Sequence, residues 1–227
     1  MGAVEGKAAA SREGSGGWGE KGVCWLRICQ STGKSTRGTV PMRFGTYNIR
    51  NGSNRGLESA LRGVSQANMG LGVFQETKVT DGIYTRGSDG YSVVTTYAPS
   101  RHRGGVAVFH RPAPHFSVES VQKFGPNVVS FHLTTEARQW YIVGCYLAPN
   151  DTSTIESVVA ALKEHPMGAE LLVARYFNAN LVEPEGYRRG EDIAAAMATE
   201  GLEDMSAHFL PRRFSWCQDM RMRSMIR

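Results

Sequence analysis

The sequence of 227 residues predicts an α/β (α+β) sandwich: two packed mixed β-sheets flanked by helices. Three observations predict it. A strand–helix–strand pattern opens the ordered part of the chain, the mark of parallel pairing through a crossover. A series of short apolar strands follows, separated by Gly, Pro, Asn and charged turns, as in antiparallel meanders. A helix and one further apolar strand then return to the parallel pattern near residue 171.

Taken in order, residues 1–40 hold nine glycines with scattered Ser and Lys and little periodicity, so they are expected to be a disordered Gly-rich segment ahead of one domain over 41–227. The apolar patch Cys24-Trp25-Leu26-Arg27-Ile28-Cys29 inside it is too short to fold alone. Gly33-Lys34-Ser35 is no phosphate-binding P-loop, because Ile28 stands where the motif needs its first glycine. From Arg43 to Ile49 the texture is strand-like and runs into the turn Arg50-Asn51-Gly52. Leu57, Ala60, Leu61, Val64 and Ala67 recur at helical spacing and predict an amphipathic helix over 56–68. A short buried strand is predicted at 71–75.

The meander strands fall at 91–97, 105–110, 116–122, 128–133 and 139–147. Ile155, Val158, Val159 and Leu162 share one face of a helix predicted over 152–164. A strand over 171–176 comes next, then a helix near 190–200. Phe214-Ser215-Trp216 and the Arg/Met-rich stretch after it are expected to form a hairpin.

Composition narrows the class. Hydrophobic residues make up 41% of the chain, enough for a sizeable core. No run approaches the ~18 apolar residues that cross a bilayer, and no apolar signal-peptide region is evident. An intracellular protein, nuclear or cytoplasmic and without membrane attachment, is expected. Cys24, Cys29, Cys145 and Cys217 include no Cys-x-x-Cys pair and are expected to be free thiols. The net charge of +5 lies in the ends: +3 over residues 1–40 and +4 over 212–227, leaving −2 for the body. Such ends suit solvated termini or attraction to phosphate polyanions.

The chemistry sits where strands stop. Tyr47-Asn48-Ile49-Arg50-Asn51-Gly52, Phe74-Gln75-Glu76-Thr77-Lys78, Tyr146-Leu147-Ala148-Pro149-Asn150-Asp151 and Phe177-Asn178-Ala179-Asn180 each place polar groups directly after an apolar strand. Open α/β sheets bind ligands at that edge. If the strands are sheet neighbours, a carboxylate and several carboxamides meet around one pocket. That donor set suits a hard, oxygen-seeking ion such as Mg²⁺.

These segments, in this order, resemble the endonuclease/exonuclease/phosphatase family, closest to the apurinic-type endonuclease domains of non-LTR retrotransposons. Gln75-Glu76-Thr77-Lys78 is similar to the family's metal-ligand motif, and Tyr47-Asn48-Ile49 to its first strand. Gly104-Gly105-Val106-Ala107-Val108 resembles the central strand. Phe177-Asn178-Ala179-Asn180-Leu181 resembles the Gly-Asp-Phe-Asn-Ala-Asn-Leu signature, and Phe214-Ser215-Trp216 with Arg221-Met222-Arg223-Ser224 a later stretch of the retroelement domains.

The resemblance implies Mg²⁺ (or Mn²⁺) held by Glu76 and Asn48, a scissile phosphate contacted by Tyr146 and ordered by Asn178, and DNA backbone contacts from Asn180 and Arg223. It also implies two losses. Arg175 and Tyr176 stand where the family has Gly and its catalytic Asp, and a phenol with a reference pKa near 10 is a poor base at neutral pH. The family's Ser-Asp-His motif has no counterpart before Arg227, so the domain is expected to be incomplete at its C-terminal end. The expected function is therefore a retroelement-derived Mg²⁺-dependent DNA endonuclease whose catalysis is impaired. The alternative is a non-catalytic nucleic-acid-binding or interaction remnant.

Overall fold

A computed structural model describes residues 24–28, 42–50, 54–80, 84–86, 90–100, 102–136, 138–147, 151, 153–176, 195, 198–199, 201, 214–218 and 221–224. The strands are β1 (Cys24–Ile28), β2 (Met42–Asn48), β3 (Leu71–Gln75), β4 (Tyr84–Arg86), β5 (Ser92–Thr95), β6 (Val106–His110), β7 (Phe116–Gly125), β8 (Val128–Thr135), β9 (Gln139–Tyr146) and β10 (Glu170–Tyr176). Helix α1 (Asn54–Gln66) follows β2, and α2 (Ser153–Lys163) follows β9. A separate hairpin pairs β11 (Phe214–Gln218) with β12 (Arg221–Ser224).

The first sheet runs β1-β2-β3-β6-β5-β4 and the second β10-β9-β8-β7. Each is mixed, as the sequence predicts. In the first, β2 and β3 are parallel across the α1 crossover, and the other pairings are antiparallel. In the second, β7, β8 and β9 form an antiparallel meander and β10 adds in parallel after α2. Every strand of the first sheet precedes residue 111, and every strand of the second follows residue 115. The sandwich is thus assembled from two consecutive halves of the chain.

Alternation along the strands sorts side chains into layers. Phe44, Leu71, Val73, Val106 and Val108 face Val129, Phe131, Leu133, Ile142, Tyr146 and Ala174 between the sheets. The opposite face of the first sheet, including Phe74, Val93, Ala107 and Phe109, packs on Leu57, Ala60, Leu61 and Val64 of α1. The outer face of the second sheet (Val128, Tyr141, Val143, Cys145) packs on Ala161 and Leu162 of α2. Burying each such aliphatic or aromatic side chain contributes roughly 1.5–3 kcal/mol, so these three layers are what hold the sheets in register. Gly144 lets the sheets come close: a Cβ there would stand 2.7 Å from Cγ1 of Val73.

The helix ends are written locally. Asn68 takes φ 50° after α1, with Met69 N donating to Val64 O at 2.9 Å and Asn68 N to Ser65 O at 2.9 Å. Those two bonds make a Schellman cap, a position where Asn tolerates the left-handed backbone. At the start of α2 the Asp151 carboxylate accepts from Thr154 N at 3.3 Å, and Pro166 follows the helix end.

Two strands were not anticipated. The apolar patch at 24–28, placed by the sequence in a disordered segment, pairs antiparallel with β2 as β1, with Cys24 opposite Thr46 and Ile28 opposite Met42. Short β4 pairs with β5. The remainder of residues 1–40 lies outside the described residues. Of the helix expected near 190–200, residues 195, 198 and 199 are described as helical. The expected hairpin is β11–β12. No helix among the described residues is long and apolar enough to cross a membrane.

Candidate active site at the carboxyl ends of the strands

Parallel pairing brings the first two predicted segments together. Asn48, the last residue of β2, lies opposite Gln75, the last residue of β3, and Ile49 N donates to Gln75 O at 2.9 Å. The chain then turns so that Asn48 Nδ2 donates to Glu76 Oε1 at 2.9 Å, while Asn48 Oδ1 accepts from Arg50 N at 3.1 Å. Asn48 is buried, so its carboxamide has one fixed orientation. Gln75 is buried as well and donates through Nε2 to the Thr46 hydroxyl.

Lys78 closes the cluster. Its Nζ lies 3.9 Å from Glu76 Oε2 and donates to Arg50 O at 2.8 Å. Arg50, Glu76 and Lys78 all take left-handed backbone, with φ of 50°, 52° and 54°. For non-glycine residues this costs roughly 1–2 kcal/mol each. Strain of that kind concentrates at functional sites, where the surrounding structure over-determines it. Beside the cluster, burial pushes the Tyr47 phenol above its ordinary value, and the Arg50 charge offsets part of that rise.

Gly104 and Gly105 form the next wall. Their φ values of 80° and 86° are open to glycine, and their carbonyls accept from Lys78 N at 2.9 Å and Thr77 N at 3.2 Å. A Cβ on Gly105 would strike the Thr77 hydroxyl oxygen and stand 3.1 Å from Lys78 N. These glycines are therefore needed for the loop to lie against the Glu76 turn.

In the second sheet β9 and β10 are parallel, with Tyr146 opposite Tyr176 at their carboxyl ends. Tyr146 is buried in the layer between the sheets, and its backbone N donates to Asn127 O at 3.0 Å. Arg175 is buried on the opposite face, beside Cys145. Asn178 and Asn180 lie outside the described residues. Arg223 lies on β12, opposite Trp216.

Asn127, which the sequence reading passed over, joins the two edges. Its Oδ1 accepts from Gly105 N of the first sheet at 3.0 Å. Its Nδ2 donates to Asp151 Oδ2 at 3.1 Å and Thr154 Oγ1 at 3.2 Å, both in the segment that follows β9. Nearby, Thr96 Oγ1 donates to Pro126 O at 2.5 Å and accepts from Val106 N at 2.8 Å. Asp151 also accepts from Ser153 Oγ at 2.8 Å and from the Thr154 hydroxyl at 2.6 Å. Burial by itself would raise the Asp151 carboxyl, but these donors outweigh it and hold the group below its ordinary value. The Asn48–Glu76–Lys78 cluster and the ends of β9 and β10 therefore share one rim. Among the described residues no group of three or more His, Cys, Asp or Glu is placed to hold a metal ion.

Two mixed sheets face to face between helices, with polar groups gathered at one rim, define the endonuclease/exonuclease/phosphatase fold. The structure is similar to the endonuclease domain of TRAS1, a telomere-specific non-LTR retrotransposon, at a TM-score of 0.52 and 19% identity over 71% of each chain. It is also similar to an AP endonuclease from Archaeoglobus fulgidus (TM-score 0.53, 14% identity, 74% of each chain). A 3′–5′ exonuclease from Neisseria meningitidis matches with a TM-score of 0.51 and 16% identity over 74% of each chain. At these identities the likeness is one of fold. No family model and no curated protein sequence matches the chain.

Proposed function

We propose that this chain is a retroelement-type DNA endonuclease domain, a phosphodiester hydrolase that keeps its metal-binding half and is impaired in its base. The observation that carries the reading is the Asn48–Glu76 pair, a buried carboxamide fixing a carboxylate at the ends of two parallel strands. A Mg²⁺ ion is held by one or two carboxylates with substrate phosphate and retained water. Glu76 with Asn48 meets the lower end of that requirement, and bound Mg²⁺ would polarise a phosphoryl oxygen there. Glu76 is 17% exposed, open enough for a ligand to reach. Lys78 is placed to offset charge on an incoming phosphate, and Tyr146 and Asn178 are assigned to the phosphate side. Tyr176 occupies the base position, where a phenol holds its proton at neutral pH.

Supercoiled plasmid nicking in Mg²⁺ tests this. The chain is expected to cleave at background level. Tyr176→Asp, in a chain that also carries a Ser-Asp-His motif, should raise Mg²⁺-dependent nicking by about 10²-fold or more, the range of general acid–base catalysis. Glu76→Gln in that background should abolish it. Continued inactivity of the restored chain would sink the site assignment.

The second reading is a non-catalytic DNA-binding remnant. It is favoured by the closeness of Lys78 to the Glu76 carboxylate, a resident cation beside the ion's own ligand. Metal-independent DNA retention that falls steeply with salt, with no cleavage by the restored chain, would select it.

A further inference from the structure

Tyr97 and Met167 are the exposed large hydrophobic residues among those described, at 59% and 101% exposure. Met167 sits in the turn between α2 and β10. Tyr97 is placed differently. It lies between Thr96, whose N donates to Val106 O at 2.8 Å, and Ala98, whose N donates to Val79 O at 2.8 Å. Val79 is three residues beyond Glu76. Even fully extended, three residues and one strand spacing would span roughly 15 Å, so Tyr97 lies within that distance of the Glu76 turn.

The ring has a cation on it. Lys123 Nζ, from β7 of the other sheet, stands 5.1 Å from the Tyr97 ring centroid. His102 and Arg103, in the loop that leads to Gly104, are exposed as well. The support beneath is rigid, because Thr96 is tied to Pro126 across the two sheets. An exposed aromatic ring with a lysine ammonium against it, held on a fixed backbone, pays little ordering entropy on binding.

We propose that Tyr97, with Lys123 and Arg103, is a stacking platform for an unpaired base of single-stranded DNA entering the rim. The proposal rests on the nucleic-acid reading given above. A flat ring takes the π-face of a base, and that face is available only where the strand is unpaired. Lys123 and Arg103 supply the phosphate contacts that accompany such stacking. The platform thus gives the rim a preference for frayed or single-stranded DNA over closed duplex.

Fluorescence anisotropy in EDTA tests the platform, with a labelled oligo(dT) of about 12 nucleotides, on the order of one binding site, compared with a short duplex. Tyr97→Ala should raise the Kd for oligo(dT) about tenfold, equivalent to ~1.4 kcal/mol, while Tyr97→Phe stays within about twofold. Duplex affinity should stay within about twofold for both, since base stacking and not charge is removed. Lys123→Ala should reduce the slope of log K against log salt by ~0.7 on the single strand. Unchanged oligo(dT) affinity in Tyr97→Ala would overturn the proposal. So would an equal loss on duplex, or a chain that fails to bind oligo(dT) at all. EDTA separates this from cleavage: if the restored chain never nicks but Tyr97→Ala still loses oligo(dT), the endonuclease reading fails and the platform stands.

Discussion

Replacing Asn127 by alanine removes a side chain that bonds to both halves of the rim. Asn127 is buried, and so is Gly105, whose amide donates to it. Losing a neutral hydrogen bond costs about 1 kcal/mol, and leaving a buried donor unsatisfied costs about 1–3 kcal/mol. The bonds to Asp151 and Thr154 add less, because Asp151 is partly exposed and keeps its bonds from Ser153 and Thr154. The sum is about 2–4 kcal/mol. For a domain of this size each kcal/mol lowers Tm by about 2–4 °C, so a fall near 10 °C is expected. Thermal melts followed by circular dichroism measure it. Native-state hydrogen exchange adds a local readout, in which the Gly105 amide loses protection beyond the global change. A Tm drop under about 2 °C, well below that fall, would show that Asn127 does not bind the two sheets together.

Three further outcomes follow from the same geometry. The Asp151 carboxyl is held below its ordinary value of 3.8 by its donors, so its stabilisation is complete above that value and is lost as pH falls through the folded one. The Tm gap between the wild type and Asp151→Asn should therefore be constant near neutrality and close below about pH 4. Gly144→Ala would place a Cβ 2.7 Å and 2.9 Å from the two Val73 methyls. It should cost about 1–3 kcal/mol in urea unfolding, with Val73→Ala in the same chain recovering part of the loss. The Cys145 thiol is pushed up to about 12 by burial, an effect the Arg175 charge only partly offsets. Iodoacetamide at pH 8 should modify it only as the protein unfolds, and rapid modification of the native protein would contradict its place in the α2 layer.

Much of the fold was legible because periodicity reports local burial. The strand at 71–75, buried throughout, reads as an apolar run over 71–74 closed by Gln75, and β9 shows its inward and outward alternation. The apolar stripes place the predicted bounds of both helices within two residues of the observed ends. β1 escaped notice because five residues of strand are masked by a glycine-rich setting, and its partner β2 was not local information. The Glu76 turn was legible as a motif, but its left-handed backbone was not, since Glu and Lys give no hint of positive φ. Asn127 was invisible for a different reason. In Gly125-Pro126-Asn127 it reads as an ordinary turn residue, and only the meeting of the two sheets buries it.

The division of the sandwich into consecutive halves has a consequence during synthesis. When His110 leaves the ribosome the first sheet is complete, yet the face carrying Phe44, Leu71, Val73, Val106 and Val108 has nothing on it. Its cover ends roughly 65 residues later, an interval of about 3–13 s at ~5–20 residues per second. For that time the nascent chain displays an apolar sheet face to solvent, which is the kind of surface chaperones recognise. A mutation that slows β7–β10 would then act through the yield of folded protein, with little change in the finished molecule.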